Sequence, residues 1–109
     1  MKFINLTPHA ITIQNNNTEI TIQPSGTIAR VAVNAVKISE VLGVPVMANE
    51  YGKVEGLPEN KDTPIIVSSM VLGQLGAEWR NIAFAPDTGK TAIRNEQGQV
   101  IAVTQLVTV

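Results

Sequence analysis

The chain has 109 residues, 44% of them hydrophobic but only 4% aromatic and 16% charged, so it makes one domain, residues 1–109, with a core of Val, Ile, Leu and Ala. Eight Lys and Arg against nine Asp and Glu leave a net charge of −1, scattered singly, which excludes a binder of duplex nucleic acid. With no Cys there are no disulfides and no thiolate metal sites.

Met1-Lys2-Phe3-Ile4-Asn5 lacks the apolar core of a signal peptide, and no apolar run reaches the length of a membrane span. A soluble intracellular protein with no membrane partner is therefore expected. Lys2 to Asn5 reads as a short strand. Leu6-Thr7-Pro8-His9 reads as a turn, because Pro8 fixes its own φ and pushes Thr7 extended. Ala10 to Gln14 and Glu19 to Gln23 each alternate apolar and polar residues around Asn15-Asn16-Asn17-Thr18, the pattern of a β-hairpin.

After the turn Pro24-Ser25-Gly26, a third strand runs from Thr27 to Val33, with Ile28, Arg30 and Ala32 on one face and Ala29, Val31 and Val33 on the other. Asn34 to Leu42 fits neither the helical nor the strand period, and Gly43 ends it. Val44 to Met47 and Tyr51 to Val54 read as two short strands joined by a turn at Asn49-Glu50, the first an edge or a bulge because of Pro45. Gly56 to Asp62 is an exposed loop.

Ile65-Ile66-Val67 is an apolar, β-branched run bracketed by Pro64 and Ser68, as expected of a strand buried on both faces. Ser68 or Ser69 then caps a short helix near 68–76, with Met70, Val71, Leu72 and Leu75 as its stripe and Gly73 and Gly76 as its stop. Strand Ile82 to Ala85, turn Pro86-Asp87-Thr88-Gly89, strand Thr91 to Arg94 and a long last strand, Val100 to Val109, complete the chain. That last strand needs a cover, or it will pair with another copy. The whole reads as an α+β fold, mainly antiparallel β, a small open barrel or twisted sheet with one short helix. Low charge with positive mean hydropathy adds the expectation of a homo-oligomer.

Gly89-Lys90-Thr91 has the ending of a phosphate loop, but Phe84 stands where that loop needs Gly and a strand follows the Lys, so a β-turn is the better account. His9 is the single histidine, without a readable triad, paired carboxylate or metal-ligand cluster. It reads as a structural or ligand-contact residue rather than a general base. Arg30, Arg80 and Arg94 are of the type that clamps phosphates, with pairing to Glu19, Glu50 or Glu96 as the plainer alternative. Ser68 and Ser69 open a helix, where backbone N–H groups suit an anion. Trp79 reads as an exposed anchor or oligomer contact and Phe84 as core.

Ile4-Asn5-Leu6-Thr7-Pro8-His9-Ala10, Pro24-Ser25-Gly26 with Ala29-Arg30-Val31, Ile66-Val67-Ser68-Ser69, and Ala92-Ile93-Arg94-Asn95-Glu96 with Gly98 resemble, in order and over nearly the whole chain, a family of small phage and prophage proteins. In size and composition the chain is also similar to phage anti-defence proteins that sequester nucleotide immune signals. That likeness implies a non-enzymatic protein of the host bacterial cytoplasm that holds a small anionic nucleotide-like ligand without cofactor or metal. Its binding residues would be His9, Arg30, Ser68, Ser69, Arg80, Arg94 and Asn95. The alternatives are a phage structural or morphogenesis protein, a protein-binding inhibitor of a host enzyme, and a small hydrolase.

Overall fold

The computed structural model describes residues 2–109. At its centre lies the predicted buried strand, β6 (Ile65–Ile66), flanked by β1 (Ile4–Asn5) on one side and β7 (Ala83–Pro86) on the other, both parallel to it. β10 (Leu106–Thr108) pairs antiparallel with β7 and completes a four-stranded mixed sheet in the order β1-β6-β7-β10. The ladder is tight: Leu6 N–H donates to Ile66 O at 2.8 Å and Val67 N–H to Phe84 O at 2.8 Å. The outer edge of β1 is closed by the segment after Pro24, where Ser25 N–H donates to Asn5 O and Ala29 N–H to Leu6 O. A parallel strand pair needs a crossover, and the chain between β6 and β7 supplies it as α1 (Ser69–Leu72) and a 3-10 turn (Ala77–Trp79).

Alternation along residues 65–67 sends Ile65 and Val67 to one face and Ile66 to the other, and all three are 0% exposed. Ile65 and Val67 pack with Leu6, Ala29, Val71, Trp79 and Ala83. Trp79, expected at the surface, is buried in that cluster, because the 3-10 turn rotates it inward and Lys61 lies over its ring at 4.7 Å. Phe84 is half-buried and meets Phe3 edge-to-face at 5.8 Å.

The remaining strands form three separate two-stranded sheets, so the twisted-sheet form of the expected fold is the one present. β2 (Ile11–Asn15) and β3 (Thr18–Ile22) make the predicted hairpin, with Asn16 at φ 54° in its turn. β8 (Ile93–Arg94) and β9 (Val100–Ala102) make a smaller one. The long terminal strand is broken into β9 and β10 around Val103 to Gln105, where Thr104 Oγ1 turns to donate to Thr91 O.

The largest departure from the sequence reading is a single long hairpin, β4 (Arg30–Val41) and β5 (Val44–Glu55). The ambiguous stretch Asn34 to Leu42 is strand as far as Val41, and Leu42 lies in the turn. Asn49 and Glu50 are no turn but mid-strand residues paired with Ala35 and Asn34. At about 3.4 Å per residue the hairpin is about 40 Å long. Only its root, through Val31 and Val54, packs on the core. It accounts for extents of 55 × 40 × 24 Å and a radius of gyration of 16.5 Å, against about 13 Å for a compact chain of this length. The root is clamped by Gly56, at φ 89°, where a side chain would meet Ile28 O at 2.5 Å.

Candidate functional site

The Asn-Leu-Thr-Pro-His motif folds into a buried polar knot. Asn5, 1% exposed, uses its whole amide: Nδ2 donates to His9 O at 2.8 Å and to Ile22 O at 3.0 Å. Its Oδ1 accepts from Thr7 N–H at 3.0 Å and Thr7 Oγ1 at 2.7 Å. One side chain therefore ties the central sheet to the β2–β3 hairpin and sets the direction in which His9 leaves the turn. His9 itself is exposed, on the rim of a cleft of about 260 Å³ lined mainly by Ile11, Pro86, Val100, Ile101 and Val103.

The other six expected ligand residues lie elsewhere. Arg30 stands at the root of the long hairpin, opposite Glu55 and beside Lys53, in a separate depression. Arg80 donates through Nε to Val109 O at 2.9 Å. Arg94 is spent inside its own hairpin, Nη1 donating to Gly98 O at 2.7 Å and Nη2 to Thr88 O at 3.0 Å. Asn95 caps the same turn, its Oδ1 accepting from Gln97 and Gln99 N–H, each at 3.0 Å. Ser68 Oγ accepts from Val71 N–H at 3.2 Å and so caps α1, as predicted, but the helix is only four residues long; Ser69 is exposed. No described cavity is lined by two of the seven. Two of the three guanidinium groups hold backbone carbonyls, and neither the acidic partners Glu19, Glu50 and Glu96 nor an anion pocket collects them.

Asp87 anchors the turn after β7. Its carboxylate accepts from Gln105 Nε2 at 2.7 Å and Gly89 N–H at 3.0 Å, and these bonds, Gln105 first, lower its pKa from the ordinary 3.8. A strand, β8, follows Gly89-Lys90-Thr91, so the turn reading of that segment holds. Among the described residues no group of three His, Cys, Asp or Glu is placed to hold a metal ion, and no helix is long and apolar enough to cross a membrane.

The feature that sequence reasoning missed is the long hairpin's surface. Val33, Val36, Ile38, Val41, Leu42, Val44, Met47 and Tyr51 are all exposed, well beyond the scatter of single apolar residues on an ordinary surface. The register puts Val36 beside Ala48, and alternation along β5 adds Val46 and Val44 to that face, with Val41 opposite Val44. An apolar stripe broken only by Ser39 thus runs along one face of the distal half, while Val33, Met47 and Tyr51 lie on the other face. A signal was present: of the fifteen residues from Val33 to Met47 only Lys37 and Glu40 are charged, and these two pair with each other at 3.0 Å. Comparison with family models, with characterised proteins and with solved structures gives no match, so the geometry stands by itself.

Proposed function

We propose that this is a non-catalytic assembly protein, which works by docking its β4–β5 hairpin against another protein surface. The observation that carries this reading is a 24-residue ribbon, two strands of 12, that leaves the core with its apolar side chains uncovered. An isolated two-stranded hairpin is marginal in water. Here the distal half has no layer of this chain beneath it, so a partner surface supplies the missing side of a sandwich. The mode is face packing rather than strand addition. The ribbon's edges carry the features that discourage strand addition, namely Pro45, Lys37, Lys53 and two register breaks, between Val31 and Val33 and between Lys37 and Ser39. The distal part of the face that bears Val36, Val41, Val44 and Val46 carries no charged residue. Of the roles that the phage-family resemblance allows, this supports the structural or morphogenesis protein.

The test is to shorten the hairpin, replacing residues 34–50 by a two-residue Asn-Gly turn, which leaves the central sheet and the Asn5 knot untouched. The full chain is expected to sediment as an assembly or to co-purify with phage particles, and the shortened chain to do neither while keeping a cooperative thermal transition. Cyclic nucleotide messengers are added to the full chain in the same series. A rise in its melting temperature with a messenger, together with association unchanged by shortening, would overturn the assembly reading in favour of ligand sequestration.

A further inference from the structure

The turn at the far end of the hairpin is built against its own stability. Leu42 and Gly43 both have positive φ, 52° and 77°, a two-residue turn for which Asn-Gly is the favoured pair because a leucine Cβ crowds the left-handed region. The same leucine is 98% exposed. A strained backbone and a wet apolar side chain are two penalties at one residue; receiving the side chain in a pocket removes the second and offsets the first. On the body, Phe3, Ile13, Ile20 and Ile22 line a hollow of about 340 Å³ with Lys2 at its rim, and Ile20 there is 54% exposed.

We infer that the hairpin's partner is a second copy of this chain, in a twofold exchange that seats Leu42 of each copy in the Phe3–Ile20–Ile22 hollow of the other. This rests on the hairpin being a docking element and says what it docks on. Area selects the second copy. One face of the ribbon beyond its root, about 30 Å by about 10 Å, covers about 300 Å², under half of the roughly 800 Å² per partner of a stable interface. A single foreign surface under that face stays below the requirement. In a twofold exchange each copy gives one ribbon and receives one, which doubles the contact to about 600 Å² per partner, the lower end of the range of specific interfaces. Charge does not oppose it, since Arg30, Lys37 and Lys53 on the ribbon are matched by Glu40, Glu50 and Glu55.

The experiment uses the full chain and sedimentation equilibrium. Leu42→Asn restores the favoured turn residue, so the variant folds at least as well as the parent, yet its dimer dissociation constant is expected to rise about thirtyfold or more, as for an interface hot spot. Ile20→Glu, at the hollow, is expected to do the same. A mixture of the two variants regains association, because the hybrid keeps one intact tip and one intact hollow. The cysteine-free background allows a second reading that does not depend on either variant's affinity: Leu42→Cys mixed with Ile20→Cys should give an intermolecular disulfide under mild oxidation. A parent chain that stays monomeric at the highest attainable concentration overturns the inference. So does an Ile20→Glu chain as dimeric as the parent together with absence of the mixed disulfide. If shortening the hairpin abolishes assembly while those two results are found, the docking role stands and only the choice of partner fails.

Discussion

The centre of the sheet and the end of the long hairpin are made of the same kinds of residue, and they are opposites in surroundings. Ile65, Ile66 and Val67 occupy three positions and lose all contact with water; Val36, Ile38, Val41 and Val44 occupy a ribbon of similar composition and stay 37% to 64% exposed. The difference is what lies alongside. β6 has a hydrogen-bonded strand on each edge and side chains packed over both faces, whereas β4 has β5 on one edge and, past Val31 and Val54, no core cluster beneath it. Burial is thus conferred by topology rather than by residue type, and an apolar ribbon whose faces no layer of its own chain covers is suited to a layer from another.

The comparison breaks most visibly at Asn5. Asn5→Leu removes all four side-chain hydrogen bonds of Asn5 and takes that partner from Thr7 N–H and the Ile22 carbonyl, while the His9 carbonyl keeps its bond from Thr7 Oγ1. At 1–3 kcal/mol for each buried group left unpaired, with some regained by water, the expected loss is about 4 kcal/mol in urea unfolding. Thr7→Val, which loses the contacts of its hydroxyl group with Asn5 Oδ1, His9 O and His9 N–H, should cost less. The same isoleucine-to-alanine change then separates the two regions directly. Ile66→Ala in the closed centre should cost about 3 kcal/mol, and Ile38→Ala in the ribbon less than about 0.5 kcal/mol in the dissociated chain. Equal losses at the two positions would mean that the ribbon is packed in the monomer.

How much of this was legible follows the same division. β6 announced itself because Pro64 and Ser68 bracket an unbroken β-branched run, and Ser68 capped the helix as its position implied. The long hairpin hid because its pleat is interrupted twice. The register break between Lys37 and Ser39 shifts the alternation at Ile38, so no single period fits Asn34 to Leu42, and the one between Val31 and Val33, opposite Gly52 and Lys53, parts that stretch from the strand pattern before it. Its true turn carries Leu where the usual signal is Asn, while Asn49-Glu50 imitates a turn in mid-strand. The expected ligand set failed to converge for a different reason. A guanidinium group in a sequence suggests an anion, but the partners Arg80 and Arg94 take are carbonyls of Val109, Gly98 and Thr88, and every residue has a carbonyl. Pattern cannot single those out.

Leu42→Asn reverses the usual sign of a substitution. Relief of the left-handed leucine should raise the stability of the dissociated chain by about 1 kcal/mol, seen as a higher urea midpoint in dilute solution. In the body's corresponding hairpin the turn already has Asn16 at positive φ, so Asn16→Leu should shift stability by a similar amount in the opposite direction. A destabilised Leu42→Asn chain would show that the leucine is already packed within its own molecule, and the contrast between the two hairpins would vanish.

The smallest effect lies in the body's exposed turn at Asp87, and pH isolates it. Bonds from Gln105 and Gly89 to the carboxylate hold its folded pKa below the ordinary 3.8. Its contribution is therefore fully present above that value and is lost as pH falls through the lower, folded value, because the folded chain then takes up a proton at the expense of those bonds. Asp87→Asn should lower the urea midpoint slightly at neutral pH, and the gap between variant and parent should close on acidification below 3.8. Gln105→Leu should reproduce the effect, since Gln105 is the larger cause. A gap that stays constant with pH would assign the turn's stability to shape rather than to the charge on Asp87.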